Sequence, residues 1–221
     1  MAGLSFLGVP SAHAQIEDLE QVEPGAGEWQ AQYTLVRSGG DGHAFELARG
    51  LSDLLIVGGE VDLDGREFDS AAAKLLLRFS DPEKGPAGLS MEFSAGVDRD
   101  GQLDVLEARA IVDRRRPRWW VMANIALRNA GDRGARGTGI AYAMSALRSV
   151  GKNVWLGGEV SGRLARIAGT ASGAPAPQHY IGPSSSFAIA GTPVEIGAAW
   201  LWRFAGRGSP SGPRIFAQVS F

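Results

Sequence analysis

The chain has 221 residues, a net charge of −2 and no cysteine, so disulfide frameworks and thiol chemistry are excluded and nucleic-acid binding, which needs a basic face, gets no support. Glycine is abundant at 31 residues, which suits many tight turns and crowded strands. No apolar run nears the roughly 18 residues a membrane helix needs, so a membrane-spanning form has to be a closed barrel.

In chain order, residues 1–14 read as the remnant of a secretory signal, with Ala12-His13-Ala14 as a small-x-small cleavage pattern before Gln15. Residues 15–27 are acidic and lack an apolar period, which reads as a mobile periplasmic lead-in. From Glu28 to Phe221 the chain is a succession of alternating segments separated by turn residues. They predict strands near 28–37, 43–50, 54–63, 67–80, 88–98, 103–113, 118–129, 138–148, 153–163, 178–190, 193–204 and 213–221. Most are near the 9–11 residues that cross a bilayer with tilt. The stretch Ala71–Arg78 has the best helix propensity, but it sits inside the strand rhythm and reads as a strand.

Asp41-Gly42, Asp64-Gly65 and Asp100-Gly101 mark tight hairpins, because type I′ turns need positive φ at both central residues. Leu51-Ser52-Asp53, Val150-Gly151-Lys152 and Gly191-Thr192-Pro193 mark others. Hairpins joining neighbours in order give an up-and-down antiparallel β-barrel of about twelve strands. The final segment alternates, with Ile215, Ala217, Val219 and Phe221 on one face and Gln218 and Ser220 on the other. An unprotected edge strand is a liability in a soluble domain, whereas closure removes the edge and a membrane interface accepts the terminal ring. An even strand count places both termini on one side, the periplasm, with the longest connections, 130–137 and 164–177, outside.

Splitting each strand by parity separates an apolar face from a polar one. Leu55, Val57, Phe93, Leu106, Ala108, Val121, Ile125, Leu127, Ile196, Trp200 and Trp202 belong to the first, which is expected to meet outer-membrane lipid. The polar face carries the lumen-lining candidates Glu46, Glu60, Lys74, Arg78, Glu92, Glu107, Arg109, Glu159, Arg163, Glu195 and Arg203, with Gln30, Gln32, Thr34, Asn124, Arg128 and Gln218 beside them. Buried charges need partners, so acids and bases on one face read as ion pairs across a lumen, a charge-lined path for small polar solutes, or both. Trp29, Phe79, Trp119, Trp120, Trp155 and Phe221 read as an aromatic girdle at the periplasmic end, and Phe45, Phe68, Trp200, Trp202 and Phe204 as its counterpart at the outer end.

Other motifs carry less. Gly134–Gly139 looks superficially like a phosphate loop but lacks the strand–loop–helix context. Asp98–Asp104 reads as a hairpin rather than a calcium loop, because the full ligand spacing is missing. Arg114-Arg115-Arg116 reads as a solvated turn. No metal or cofactor motif is present. His43 and His179 are the only histidines after the signal; Ser184 lies five residues beyond His179, and no nucleophile–base pair stands out. An enzyme is therefore not expected.

Two stretches carry a resemblance. Val22-Glu23-Pro24-Gly25 followed by Trp29-Gln30-Ala31-Gln32-Tyr33 resembles the mature start of proteobacterial outer-membrane barrels of a transporter group. His43 to Gly58 resembles their segment HxFExxYGLTDxxxxG, with Ala48-Arg49-Gly50 departing from the usual aromatic before glycine. The resemblance covers about the first third of the mature chain. It implies a barrel and transport, and transfers no binding residue. Together these readings give an all-β transmembrane barrel of the Gram-negative outer membrane, acting as a channel or transporter for small polar solutes. The alternatives are a structural envelope barrel with an ion-pair-plugged lumen, or an outer-membrane lipid hydrolase. A barrel of this kind is expected to run faster on denaturing gels before boiling than after; an unshifted band together with solubility without detergent would refute it.

Overall fold

A computed structural model describes residues 24–37, 40–82, 85–130, 137–164, 166–169, 177–207 and 210–221. They form β1 (Trp29–Arg37), β2 (Asp41–Gly50), β3 (Leu55–Asp64), β4 (Glu67–Ser80), β5 (Gly88–Asp98), β6 (Leu103–Arg116), β7 (Trp119–Ala130), β8 (Gly137–Gly151), β9 (Val154–Arg163), the two-residue β10 (Ala168–Gly169), β11 (Gln178–Ala188), β12 (Val194–Gly206) and β13 (Gly212–Ser220). Apart from β10, which adds to the edge of β8 at Gly137 and Thr138, each strand pairs antiparallel with the next. The circuit closes where β1 meets β13, in register from Gln30 opposite Ser220 to Val36 opposite Arg214. Trp29 and Phe221 complete the seam with reciprocal backbone hydrogen bonds of 2.7 and 2.9 Å. The result is a closed twelve-strand up-and-down barrel with one extra strand. Both β1 and β13 begin or finish at one end of the barrel, here the terminal end; the hairpins at Gly65 and Gly101 mark the far end.

The alternation holds around the whole barrel. Ile125 is 56% exposed and Leu127 48%, while Asn124 and Ala126 between and beside them are buried. The outer surface is continuous apolar area, including Phe93, Leu106, Val121, Ile196, Trp200 and Trp202. In water so large an exposed apolar surface would drive association; in lipid it is the favourable face. Ala71–Arg78 is strand, paired on both sides.

Several details differ from the sequence reading. Asp41-Gly42 does not form a turn. Both residues lie in β2, opposite Arg37 and Val36. Gly65, Gly101 and Gly191 do turn with positive φ (60°, 73° and 78°), but no described residue other than glycine has positive φ, so type I′ turns with Asp at positive φ are absent among the described residues. Arg114-Arg115-Arg116 is not a turn either: β6 runs through it, and the reversal falls at Pro117-Arg118. Likewise β8 continues through Val150-Gly151. The end of the lead-in, expected to be mobile, is held in place: Pro24 is fully buried and Ala26 bridges to Gly50. The signal remnant, residues 15–23 of the lead-in, the turn-like Gly134–Arg136 and most of the two long connections lie outside the described residues.

The aromatic girdle is also corrected. Trp119 is exposed, but Trp120 is only 4% exposed and Trp155 is half-buried. Both rings point inward and meet edge to face, 6.1 Å between centroids, with Met122 and Leu147 against them. Adjacent residues in a strand face opposite sides, so Trp119 and Trp120 cannot share a girdle. The Trp120 indole donates a 2.9 Å hydrogen bond to Asp113, which is fully buried, and Arg115 lies 4.7 Å over the ring. Trp120→Ala is expected to cost about 3–5 kcal/mol, read as a lower temperature at which the barrel's gel band shifts to the unfolded position, with Trp119→Ala changing it far less.

Candidate functional site: the lumen

The parity that turns apolar residues to lipid turns every inward side chain into one interior. Glu46 on β2, Glu60 on β3 and Lys74 on β4 converge at one level. Lys74 Nζ lies 2.8 Å from Glu46 and 2.7 Å from Glu60, so one ammonium serves two carboxylates. On β6, Arg109 and Glu107 are paired at 2.6 Å, and Arg128 of β7 lies 3.9 Å from the other oxygen of Glu107. Glu92 of β5 stands opposite Arg109 in register and is buried. On the other side, Glu159 of β9 accepts a 2.6 Å hydrogen bond from Arg214 of β13, with the Glu159 side chain 0% exposed. Glu195, nearer the terminal end of β12, accepts a 2.6 Å hydrogen bond from Ser186. Arg163 is buried at the far end of β9, and Arg203, near the far end of β12, is exposed. Arg78 reaches from β4 toward the terminal end and donates to the Pro24 carbonyl.

The structure therefore joins Glu46, Glu60 and Lys74 into one cluster and Glu107, Arg109 and Arg128 into another. Arg78 stands apart from both. Three inward charges missed in the sequence complete the set. Arg214 sits one residue after Pro213 at the start of the last strand; its even number, shared with Gln218, was the available signal. Asp113 and Arg115 were hidden by reading the arginine run as a turn.

Between these charges the interior is not uniformly polar, as the alternation had implied. Ala48, Ile56, Leu76 and Ile111 form one apolar patch, and Tyr180, Ala199 and Leu201, with Val36, form another. The Phe216 ring of β13 lies where a side chain on Gly197 would be. Two of the cavities among the described inward residues hold about 20 Å³ each, close to the space of a single water. Gln32 lines both; Glu46 and Lys74 border the first, and Ser145, Ser186 and Arg214 the second. The hydroxyls of Ser90, Ser145 and Ser161 and one oxygen of Glu159 are buried with no protein hydrogen-bond partner among the described residues. Leaving such groups dry costs about 1–3 kcal/mol each, so these positions are not chosen for stability alone.

The histidines lie elsewhere. His43 meets the Tyr33 hydroxyl at 2.8 Å and His179 meets the Tyr142 hydroxyl at 2.9 Å. Both rings are on the outer face, whereas Ser184 is inward and borders the second cavity. The wall of the barrel separates His179 from Ser184, so the hydrolase pairing considered from sequence does not form.

An apolar exterior around a closed antiparallel sheet, with a charged and hydroxylated interior, defines a transmembrane β-barrel with the fold of outer-membrane porins. Its fold is shared with an outer-membrane channel from Pseudomonas putida F1, at a TM-score of 0.61 and 11% identity over 92% of this chain and 97% of that one. It is shared with the KdgM porin at a TM-score of 0.57 and 11% identity, over 87% of this chain and 99% of that one. The KdgM porin in complex with disordered oligogalacturonate aligns over the same shares, with a TM-score of 0.53 and 12% identity. No family profile and no curated protein sequence matches the chain.

Removing one partner of a buried ion pair strands the other charge. Arg214→Ala is expected to destabilise the barrel by about 3–5 kcal/mol, and the double substitution Arg214→Ala, Glu159→Ala by distinctly less. A double-mutant cycle on chemical unfolding, with Glu159→Ala as the second single variant, measures this; a loss in the double variant equal to the sum of the two single losses would show that the pair is not coupled.

Proposed function

We propose that the protein is an outer-membrane channel for small polar solutes, with both termini on the periplasmic side. The observation that carries this reading is the interior: charged side chains from several strands, and buried hydroxyls with no hydrogen-bond partner among the described residues, face inward inside a wall that is apolar outside. A barrel needed only as a scaffold gains nothing from polar atoms left to water, since apolar residues of similar volume stabilise a core at least as well as buried ion pairs. A solute path needs those atoms, because they replace the hydration of what passes. The shared fold with the KdgM porin and the Pseudomonas channel supports the reading, and the sugar bound by the KdgM porin is a polar solute.

The charges refine it. Acids and bases alternate around the lumen, and Lys74 neutralises parts of two carboxylates. No ring of a single sign results among the described residues, so weak selectivity between small ions and ready passage of neutral or zwitterionic solutes are expected.

Planar-bilayer recordings of the purified barrel test the proposal directly. Discrete openings are expected; their complete absence would favour the plugged structural barrel instead. Lys74→Gln leaves Glu46 and Glu60 without their shared cation. One uncompensated charge near the path is worth about 1 kcal/mol in water-like surroundings, so the cation-over-anion permeability ratio is expected to rise about fivefold, read from the reversal potential in a salt gradient.

A further inference from the structure

The terminal mouth of the lumen holds a piece of chain that is not part of the wall. Pro24 is among the largest fully buried side chains, although it precedes the first strand. Arg78, an inward residue of β4, donates to the Pro24 carbonyl. Buried inward Arg109 and Arg214 each meet a carboxylate; this one grips backbone. Gly50, the last residue of β2, has no side chain where the Gly25 carbonyl sits, and a Cβ there would run into that carbonyl. Two backbone hydrogen bonds tie the same place together, Gly27 N to Gly50 O at 2.7 Å and Gly50 N to Glu28 O at 3.0 Å. Ala26 bridges to Gly50 in the parallel sense, opposite to every strand pairing of the wall. The Glu28 carboxylate accepts from Gly25 N at 3.0 Å, and Gly27 takes a φ of 81°, so the segment folds back on itself before β1 begins.

We propose that Pro24–Gly27 is a strap that shuts the terminal mouth, docked in a notch made by Gly50 and latched by Arg78, and that its release opens the lumen. This rests on the channel reading above. The geometry suits a detachable closure. Among the described residues the strap is held by a few hydrogen bonds and Arg78, whereas a wall strand is paired along its length on both sides. It can therefore leave without unzipping the barrel, as segments with few buried contacts open locally while the rest stays folded. Its latch is also well placed. Arg78 lies beyond Lys74 on the same inward face of β4, so the strap lies on the path from the Lys74 cluster to the terminal end. Opposite it, on β7 and β9, Trp120 and Trp155 fill the lumen near the same end. Strap and tryptophans cover the mouth from two arcs.

The chain has no cysteine, which makes a direct test clean. Pro24→Cys is introduced alone and together with Gly50→Val, whose side chain occupies the notch. Both proteins are first checked for the heat-dependent band shift that reports a folded barrel. Thiol labelling by a small maleimide in detergent is expected to be about tenfold faster with Gly50→Val. Equal labelling rates would overturn the docked strap. In planar bilayers, Gly50→Val and Arg78→Ala, each without the cysteine, are expected to give openings several times larger or more frequent than the parent. Faster labelling with conductance identical to a conducting parent would overturn the closing role. Silence from the parent and both variants would instead refute the channel reading, while the labelling rates still decide whether the strap is docked.

Discussion

Lipid offers no partner to a peptide group, so every backbone N–H and C=O in the wall must be paired within the protein. The seam between β1 and β13 is where that condition is met, from the Gln30–Ser220 pair to the Val36–Arg214 pair, sealed by Trp29 and Phe221. With the seam closed the twelve-strand wall has no open edge, and a surface rich in exposed Phe, Leu, Ile and Trp is stable in a bilayer. Closure has a second consequence. Side chains of alternate parity are forced into one shared interior, and whatever the inward residues are, they must satisfy one another or water.

The interior of this barrel meets that demand in two ways. Some charges pair across strands, as Lys74 does with Glu46 and Glu60. Apolar groups collect into local patches, such as Trp120, Met122 and Leu147 near the terminal end. The hydroxyls of Ser90, Ser145 and Ser161 are buried with no hydrogen-bond partner among the described residues. A core optimised for stability alone would favour the second solution, because desolvating a charge costs more than packing a leucine. The mixture, together with a fold shared with porins, is what supports the channel proposed above. The same reasoning gives the lead-in its meaning. A buried proline held by an inward arginine closes one end of the interior without belonging to its wall.

Much of this was legible in the residues. Period-two alternation placed the strands, and parity alone set Glu92, Glu107, Arg109 and Glu159 facing inward, where they are buried. The errors came from local rules applied where a longer-range one decided. Asp41-Gly42 has the composition of a turn, but pairing with Arg37 and Val36 draws it into β2. The arginine run looks like a solvated turn, yet Arg115 is inward, pairs with Asp113 and lies over Trp120. The adjacent tryptophans were both assigned to the interface, although adjacency requires one of them to face the lumen.

The wall could be read along the chain because a strand's pattern repeats every two residues and each hairpin joins neighbours. Strand number, lipid face and lumen face are properties of that repeat. Which inward groups meet is not. Glu159 and Arg214 are 55 residues apart, and Pro24 and Arg78 are 54 apart. Their contacts depend on how far the strands are staggered around the closed sheet, a quantity no local period carries. The stagger brings Arg214 to Glu159, and it sets the strap against Arg78.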